Sequence, residues 1–180
     1  MPRYVAFLRA INVGGHVVTM ERLRALFAAL GLSNVESFIA SGNMIFESRS
    51  RNREALAATI ERKLEGALGY AVVTMLRSDQ EVAEIARRAL FTAHELAAAR
   101  AFNVALLPRD APAAAERALD VLRTELDELR VVGSEVYWLC RAKQSESTFS
   151  YPRFEKLIGM SATWRSLKTI ERLAAKYPPG

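Results

Sequence analysis

The chain has 180 residues, 51% apolar and 25% charged, enough for one large domain or two small ones and too hydrophobic for an intrinsically disordered chain. Its formal net charge is +5 and its pI about 9.7. Twenty of the 25 basic residues are arginines spread along the chain, which suits a solvated mixed surface better than a concentrated nucleic-acid patch. One cysteine, Cys140, rules out an internal disulfide and points to a reducing compartment, and with two histidines zinc ligands are scarce. No signal-like segment opens the sequence and no apolar run reaches 18 residues, so a cytoplasmic protein without membrane contact, metal or cofactor is expected.

Tyr4–Leu8 is a continuous apolar run, the pattern of a strand buried on both faces. After the loop Asn12–His16, Thr19 is positioned to cap a helix over Met20–Leu30, whose apolar residues Leu23, Leu26, Phe27 and Leu30 share one face; Gly31 stops it. Val35–Ala40 and Met44–Glu47 read as strands joined by a Ser41-Gly42-Asn43 turn. A helix is predicted over Arg53–Ala67 with a stop at Gly69, then a strand over Tyr70–Leu76 and a helix from Ser78 or Asp79 to about Arg88. The second half follows the same order. Phe102–Leu107 is a strand, Pro112–Leu126 a helix, and Leu129–Val132 and Glu135–Cys140 are strands across Gly133-Ser134. Ser150–Ile158 is a helix, Ala162–Arg165 an extended piece and Leu167–Lys176 the last helix.

The fold class implied is α+β, a tandem duplication of ferredoxin-like βαββαβ units with antiparallel sheets, in which right-handed crossovers give strand order 4-1-3-2 and both helices on one face. Two local matches favour duplication: Val5–Leu8 against Val104–Leu107, and the Ser41–Phe46 turn and strand against Val132–Trp138. The boundary is expected near residues 88–100, giving units 1–90 and 91–180 packed together. Strands apolar on both faces also require a cover for the second face, either the other half or a second copy of the chain, so a homo-oligomer through a sheet face is one solution.

That topology brings two turns of the first unit to one edge, Arg9–Val18 and Ser41-Gly42-Asn43. Gly14-Gly15 ahead of a helix can offer bare backbone N–H groups to an anion, or can simply permit a tight turn. Arg9 could add a bidentate contact, and Asn12 and Asn43 could read a polar ligand or bond their own loops. No G-x-x-x-x-G-K-[ST] phosphate loop is present, no Ser/His/Asp set is assembled, and His16 lacks a neighbouring carboxylate in sequence. Tyr4, Phe7 and Phe46 invite comparison with RNA-recognition sheets, but the signature of that module is missing from Asn43–Ser48.

Arg9-Ala10-Ile11-Asn12-Val13-Gly14-Gly15, then Ser41-Gly42-Asn43-Met44-Ile45-Phe46, and Ala162-Thr163-Trp164-Arg165 with Thr169 resemble domain-of-unknown-function family 1697, a bacterial family. Ala10 stands where that family has glycine, and Ser166-Leu167-Lys168 replaces its Asn-Trp-Asn. The resemblance implies a two-part α/β architecture and carries no activity. The expectation for function is therefore a binding protein for a small anionic or nucleotide-like ligand, or nucleic acid, at the edge made by Arg9, Asn12, Gly14, Gly15, Ser41, Gly42 and Asn43, with Arg165 contributing. An enzyme using the same edge, with His16 as acid or base, and a structural or interaction module are the alternatives.

Overall fold

The computed structural model describes residues 1–180. In chain order it comprises β1 (Arg3–Leu8), α1 (Met20–Ala28), β2 (Ser33–Phe38), β3 (Asn43–Glu47), α2 (Arg53–Leu68), β4 (Thr74–Ser78) and α3 (Asp79–Arg87). There follow α4 (Ala93–Ala98), β5 (Ala101–Leu106), α5 (Ala115–Leu119), β6 (Asp127–Val132), β7 (Glu135–Cys140), α6 (Tyr151–Ile158), β8 (Thr163–Ser166) and α7 (Leu167–Lys176). The strands form two four-stranded antiparallel sheets, ordered β2-β3-β1-β4 and β6-β7-β5-β8. Each has the strand order expected from the sequence.

Most elements start and stop for the reasons the sequence offers. Thr19 Oγ1 accepts from Arg22 N–H at the start of α1, and Asn52 Oδ1 accepts from Ala55 N–H at the start of α2. Gly69 ends α2 in the left-handed region at φ 81°. Four expectations need correction. Helix α1 ends at Ala28, and a turn closed by Gly31 N–H to Ala28 O follows it. Strand β4 lies at Thr74–Ser78 instead of 70–76, because Tyr70 packs with the helix-side core ahead of the sheet. The long helix expected over 112–126 is only Ala115–Leu119 followed by a 3₁₀ turn, Asp120–Leu122. Helix α4 was not expected at all, although Thr92 and Glu95 form a reciprocal capping box that spells out its start.

The chain divides into two compact units, Met1–Glu84 with Leu173–Gly180, and Ile85–Arg172. The division thus falls inside α3 instead of at 90/91, and the C-terminal residues group with the first unit. The reason is local bonding: Tyr177 Oη donates to Glu36 Oε2 at 2.6 Å, and Arg3 Nη1 donates to Pro178 O at 3.2 Å.

In the first unit the helix-facing side of the sheet presents Tyr4, Ala6, Leu8, Met44, Phe46 and Leu76 to Leu23 and Phe27 of α1 and to Leu56, Ile60 and Leu64 of α2. Val5, Phe7, Ile45 and Met75, on the opposite side, are buried as well. Fully burying each such side chain stabilises the fold by roughly 1.5–3 kcal/mol. In the second unit Ala105, Leu107, Val136 and Trp138 meet Leu119 of α5 and Phe154 and Ile158 of α6. No helix is long and apolar enough to cross a membrane.

Candidate functional site

The two turns singled out in the first unit do come together. Leu8 N–H donates to Gly42 O at 2.8 Å, so the end of β1 is bonded directly to the turn between β2 and β3. Packing there is so close that a Cβ on Gly42 would stand 3.0 Å from Ile11 Cβ and 3.2 Å from Leu8 Cβ. Gly42 is therefore required on two counts, the close approach and its φ of 74°. The turn itself differs from the sequence expectation. It runs from Ile39 to Gly42, and Asn43 already belongs to β3.

The asparagines act as braces. Val18 N–H donates to Asn12 Oδ1 at 2.8 Å, and Asn12 Nδ2 reaches Ala40 O at 3.4 Å, so one side chain ties the entrance of α1 to the neighbouring turn. Asn43 is fully buried and its Nδ2 donates to Phe38 O and to Ser41 Oγ, at 3.0 and 2.8 Å. Both side-chain amides are thus engaged by neighbouring groups of the chain.

What remains exposed is a tight turn and an aromatic step. Gly14 and Gly15 both have positive φ, 62° and 85°, in a turn closed by His16 N–H to Val13 O at 3.2 Å. The His16 ring stacks on Tyr70 with centroids 3.9 Å apart and an interplanar angle of 28°. Beneath it, the Tyr70 hydroxyl is buried with no hydrogen-bond partner. An orphaned phenol is uncommon enough in a folded chain to mark a place where water or a ligand completes the bonding. Val13, Val17 and Ile39 are exposed around the same edge, and Arg9 is half-buried there. No carboxylate bonds the His16 ring, so the edge lacks the orienting partner that acid–base work by a histidine uses.

Backbone strain is concentrated in these turns. Four non-glycine residues have positive φ, and three of them, Ala10 (62°), Asn12 (58°) and Ile39 (51°), lie here. Asparagine tolerates this region, whereas a β-branched isoleucine in it is an outlier.

Arg165 is a different case. It lies on β8 in the second unit, 9% exposed, with Nη1 donating to Thr163 Oγ1 and to Trp164 O, both at 2.8 Å. Burial pulls its guanidinium down to about 10, which still leaves it charged at neutral pH. Arg165 is thus held within its own strand, whereas Lys168, three residues on, is exposed. Thr169 instead helps start α7, donating its N–H to Ser166 Oγ at 3.2 Å. No group of three His, Cys, Asp or Glu side chains is arranged to hold a metal.

Sequence reasoning missed Tyr70 and the apolar rim of Val13, Val17 and Ile39. The first was read as part of a strand, and nothing local marks the others as exposed.

The sequence model of DUF1697, described as a protein of unknown function, matches residues 1–137. The solved structure of the conserved bacterial protein SP0830 from Streptococcus pneumoniae superposes with a TM-score of 0.77 over 99% of each chain, at 23% identity. That likeness extends to the fold. Among curated proteins none matches.

Proposed function

The chain belongs to the DUF1697 family of proteins of unknown function, and we propose that it is a cytoplasmic binding protein that takes a small anionic, nucleotide-like ligand at the edge formed by the Gly14-Gly15 turn and the Ile39–Gly42 turn. The observation that carries this reading is the gathering of left-handed, non-glycine residues in those two turns. Such conformations cost about 1–3 kcal/mol each and persist where the surroundings hold them for a purpose. In this reading Gly14 and Gly15 offer backbone N–H donors, Arg9 supplies charge, and the His16–Tyr70 stack is a platform for a base-like ring. Asn12 and Asn43 hold the turns and do not read the ligand. We also read the two sheets as copies of one ferredoxin-like unit. Both have the same strand order, and each sets a buried arginine opposite a valine of its first strand, Arg77 against Val5 and Arg165 against Val104.

A thermal-shift screen of nucleotides and phosphorylated metabolites tests the reading. A ligand at 100 times Kd should add roughly 2.7 kcal/mol to stability. His16→Ala and Arg9→Ala should each reduce the shift, measured against each variant's own ligand-free melting temperature. If no compound shifts the wild-type protein, or both variants keep the full shift, the edge is not the site. Retention on heparin with a steep salt dependence would instead assign the anion to nucleic acid.

A further inference from the structure

The opposite corner of the second sheet carries a separate basic cleft. It lies where β5 begins and β7 ends, has a volume of about 430 Å³, and is lined by Arg100, Arg141, Ala142, Lys143 and Glu146. Register explains the gathering: Ala101 pairs with Cys140, so residues just before β5 and just after β7 must leave the sheet side by side. Arg100 N–H donates to Cys140 O at 2.7 Å, which fixes that exit. Three cations from two separate segments therefore share one rim.

No carboxylate is bonded to any of the three. Arg141 Nη1 donates to a carbonyl, Glu125 O, at 3.0 Å, and Glu95, outside the lining, feels the Arg141 charge only at longer range and is itself paired with Arg130. The one carboxylate on the rim, Glu146, is turned to the backbone and accepts from Lys143 N–H at 3.1 Å. Three cations against one carboxylate leave an excess of two positive charges in a space of ligand size. Elsewhere in the same unit arginines are matched to acids, as Arg123 is to Glu116 and Arg88 to Glu135.

The corresponding corner of the first sheet, after β3 and before β1, also opens into a cleft, of about 550 Å³, and there too a basic residue without an ion pair, Arg49, lies on the lining beside Ser33 and Ser50. Leu30, Leu32 and Leu56 share that lining and Glu47 offsets the charge of Arg49, so the second-sheet corner is the better anion site of the two.

From this geometry we infer that the cleft between Arg100, Arg141 and Lys143 binds the terminal phosphate of a small phosphorylated metabolite. A phosphate monoester carries about −1.5 to −2 charges at neutral pH, which matches the local excess, and its oxygens suit two guanidinium forks and an ammonium. The site is independent of the glycine-turn edge, since the two share no residue.

Glucose 6-phosphate, inorganic phosphate and glucose are titrated into the full-length protein at constant ionic strength held with sodium chloride, and amide shifts are followed by NMR. Glucose 6-phosphate and phosphate should saturate, with the shifted amides at residues 100 and 141–146, and glucose should do nothing. Arg100→Ala, whose side chain bonds nothing in the chain, should keep the wild-type melting temperature and weaken both phosphates at least tenfold; Lys143→Ala is the second variant and should do the same. The proposal is overturned if glucose matches its phosphate, if the response fails to saturate, or if Arg100→Ala and Lys143→Ala bind as the wild type does. Phosphate binding lost in Arg9→Ala but kept in Arg100→Ala would likewise overturn it, because that result belongs to the other edge.

Discussion

Ala10 sits in the left-handed region at φ 62°. An L-residue there costs roughly 1–2 kcal/mol, while an added glycine costs about 0.4–1 kcal/mol through unfolded-chain entropy. Ala10→Gly should therefore stabilise the protein by about 0.5–1 kcal/mol in urea unfolding, and an unchanged or lower midpoint would mean the strain is not there. Gly42 poses the reverse problem. Gly42→Ala adds a Cβ at 3.0 Å from Ile11 Cβ on a backbone with φ 74°. The left-handed penalty and the overpacking together should cost about 2–4 kcal/mol. A loss below 1 kcal/mol, measured the same way, would show that Ile11 moves aside freely. At this scale the glycines were legible in the sequence, because only glycine answers a demand for both space and positive φ. The roles of Asn12 and Asn43 were not, since an asparagine looks the same whether its amide faces a ligand or a neighbouring carbonyl.

Among the elements, β6 and β7 depend on one buried carboxylate. Asp127 is 1% exposed, and its oxygens accept from Trp138 Nε1 and Ser147 Oγ at 2.8 Å each and from Thr124 Oγ1 at 2.9 Å. The Trp138 ring it fixes stacks on Phe149 at 4.2 Å and meets Trp164 edge-on at 5.8 Å. Removing the acceptor would leave buried donors unmet, at a cost of roughly 1–3 kcal/mol for the first and less for those that reach water. Asp127→Ala is expected to destabilise the protein by about 3 kcal/mol and to change Trp fluorescence in the folded state, whereas Asp127→Asn, which keeps an acceptor oxygen, should lose less than half of that. Equal losses for the two variants would assign the effect to shape instead of bonding. Sequence pattern found β7 to the residue, because the apolar run Val136–Cys140 follows the Gly133-Ser134 turn. It overextended α5, where Ala-rich helix propensity across 112–126 gave way to a 3₁₀ turn. Arg123, at the end of that turn, donates to Leu129 O through Nε and Nη2, at 3.1 and 2.7 Å, and so draws the chain toward β6. Propensity is a weak prior that tertiary bonding overrides.

For the molecule as a whole, the single cysteine is an internal reporter. Cys140 is fully buried on β7, between the main-chain bonds of β5 and β6, and burial pushes its thiol pKa up. A thiol that is both covered and protonated reacts only when the second sheet opens. Ellman's reagent at pH 8 should label the native protein at least about 10³-fold more slowly than the urea-denatured chain, as expected for a domain stable by some 5 kcal/mol or more. Rapid labelling of the native protein would place the thiol at a surface and contradict the packing of β7.

The sequence by itself determined the α+β class, the order of strands in both sheets and the meeting of the two glycine-containing turns, because period-2 and period-3.6 apolar patterns combine with right-handed crossovers to leave few arrangements. Only the tertiary structure decided where the units divide, since Tyr177 bonds Glu36 across 141 residues that no local pattern links. It also decided which polar residues are spoken for. Asn12, Asn43 and Arg165 carry the same chemistry in a sequence as a ligand-reading residue does, and their hydrogen bonds to Val18, Phe38 and Thr163 exist only once the chain has folded around them.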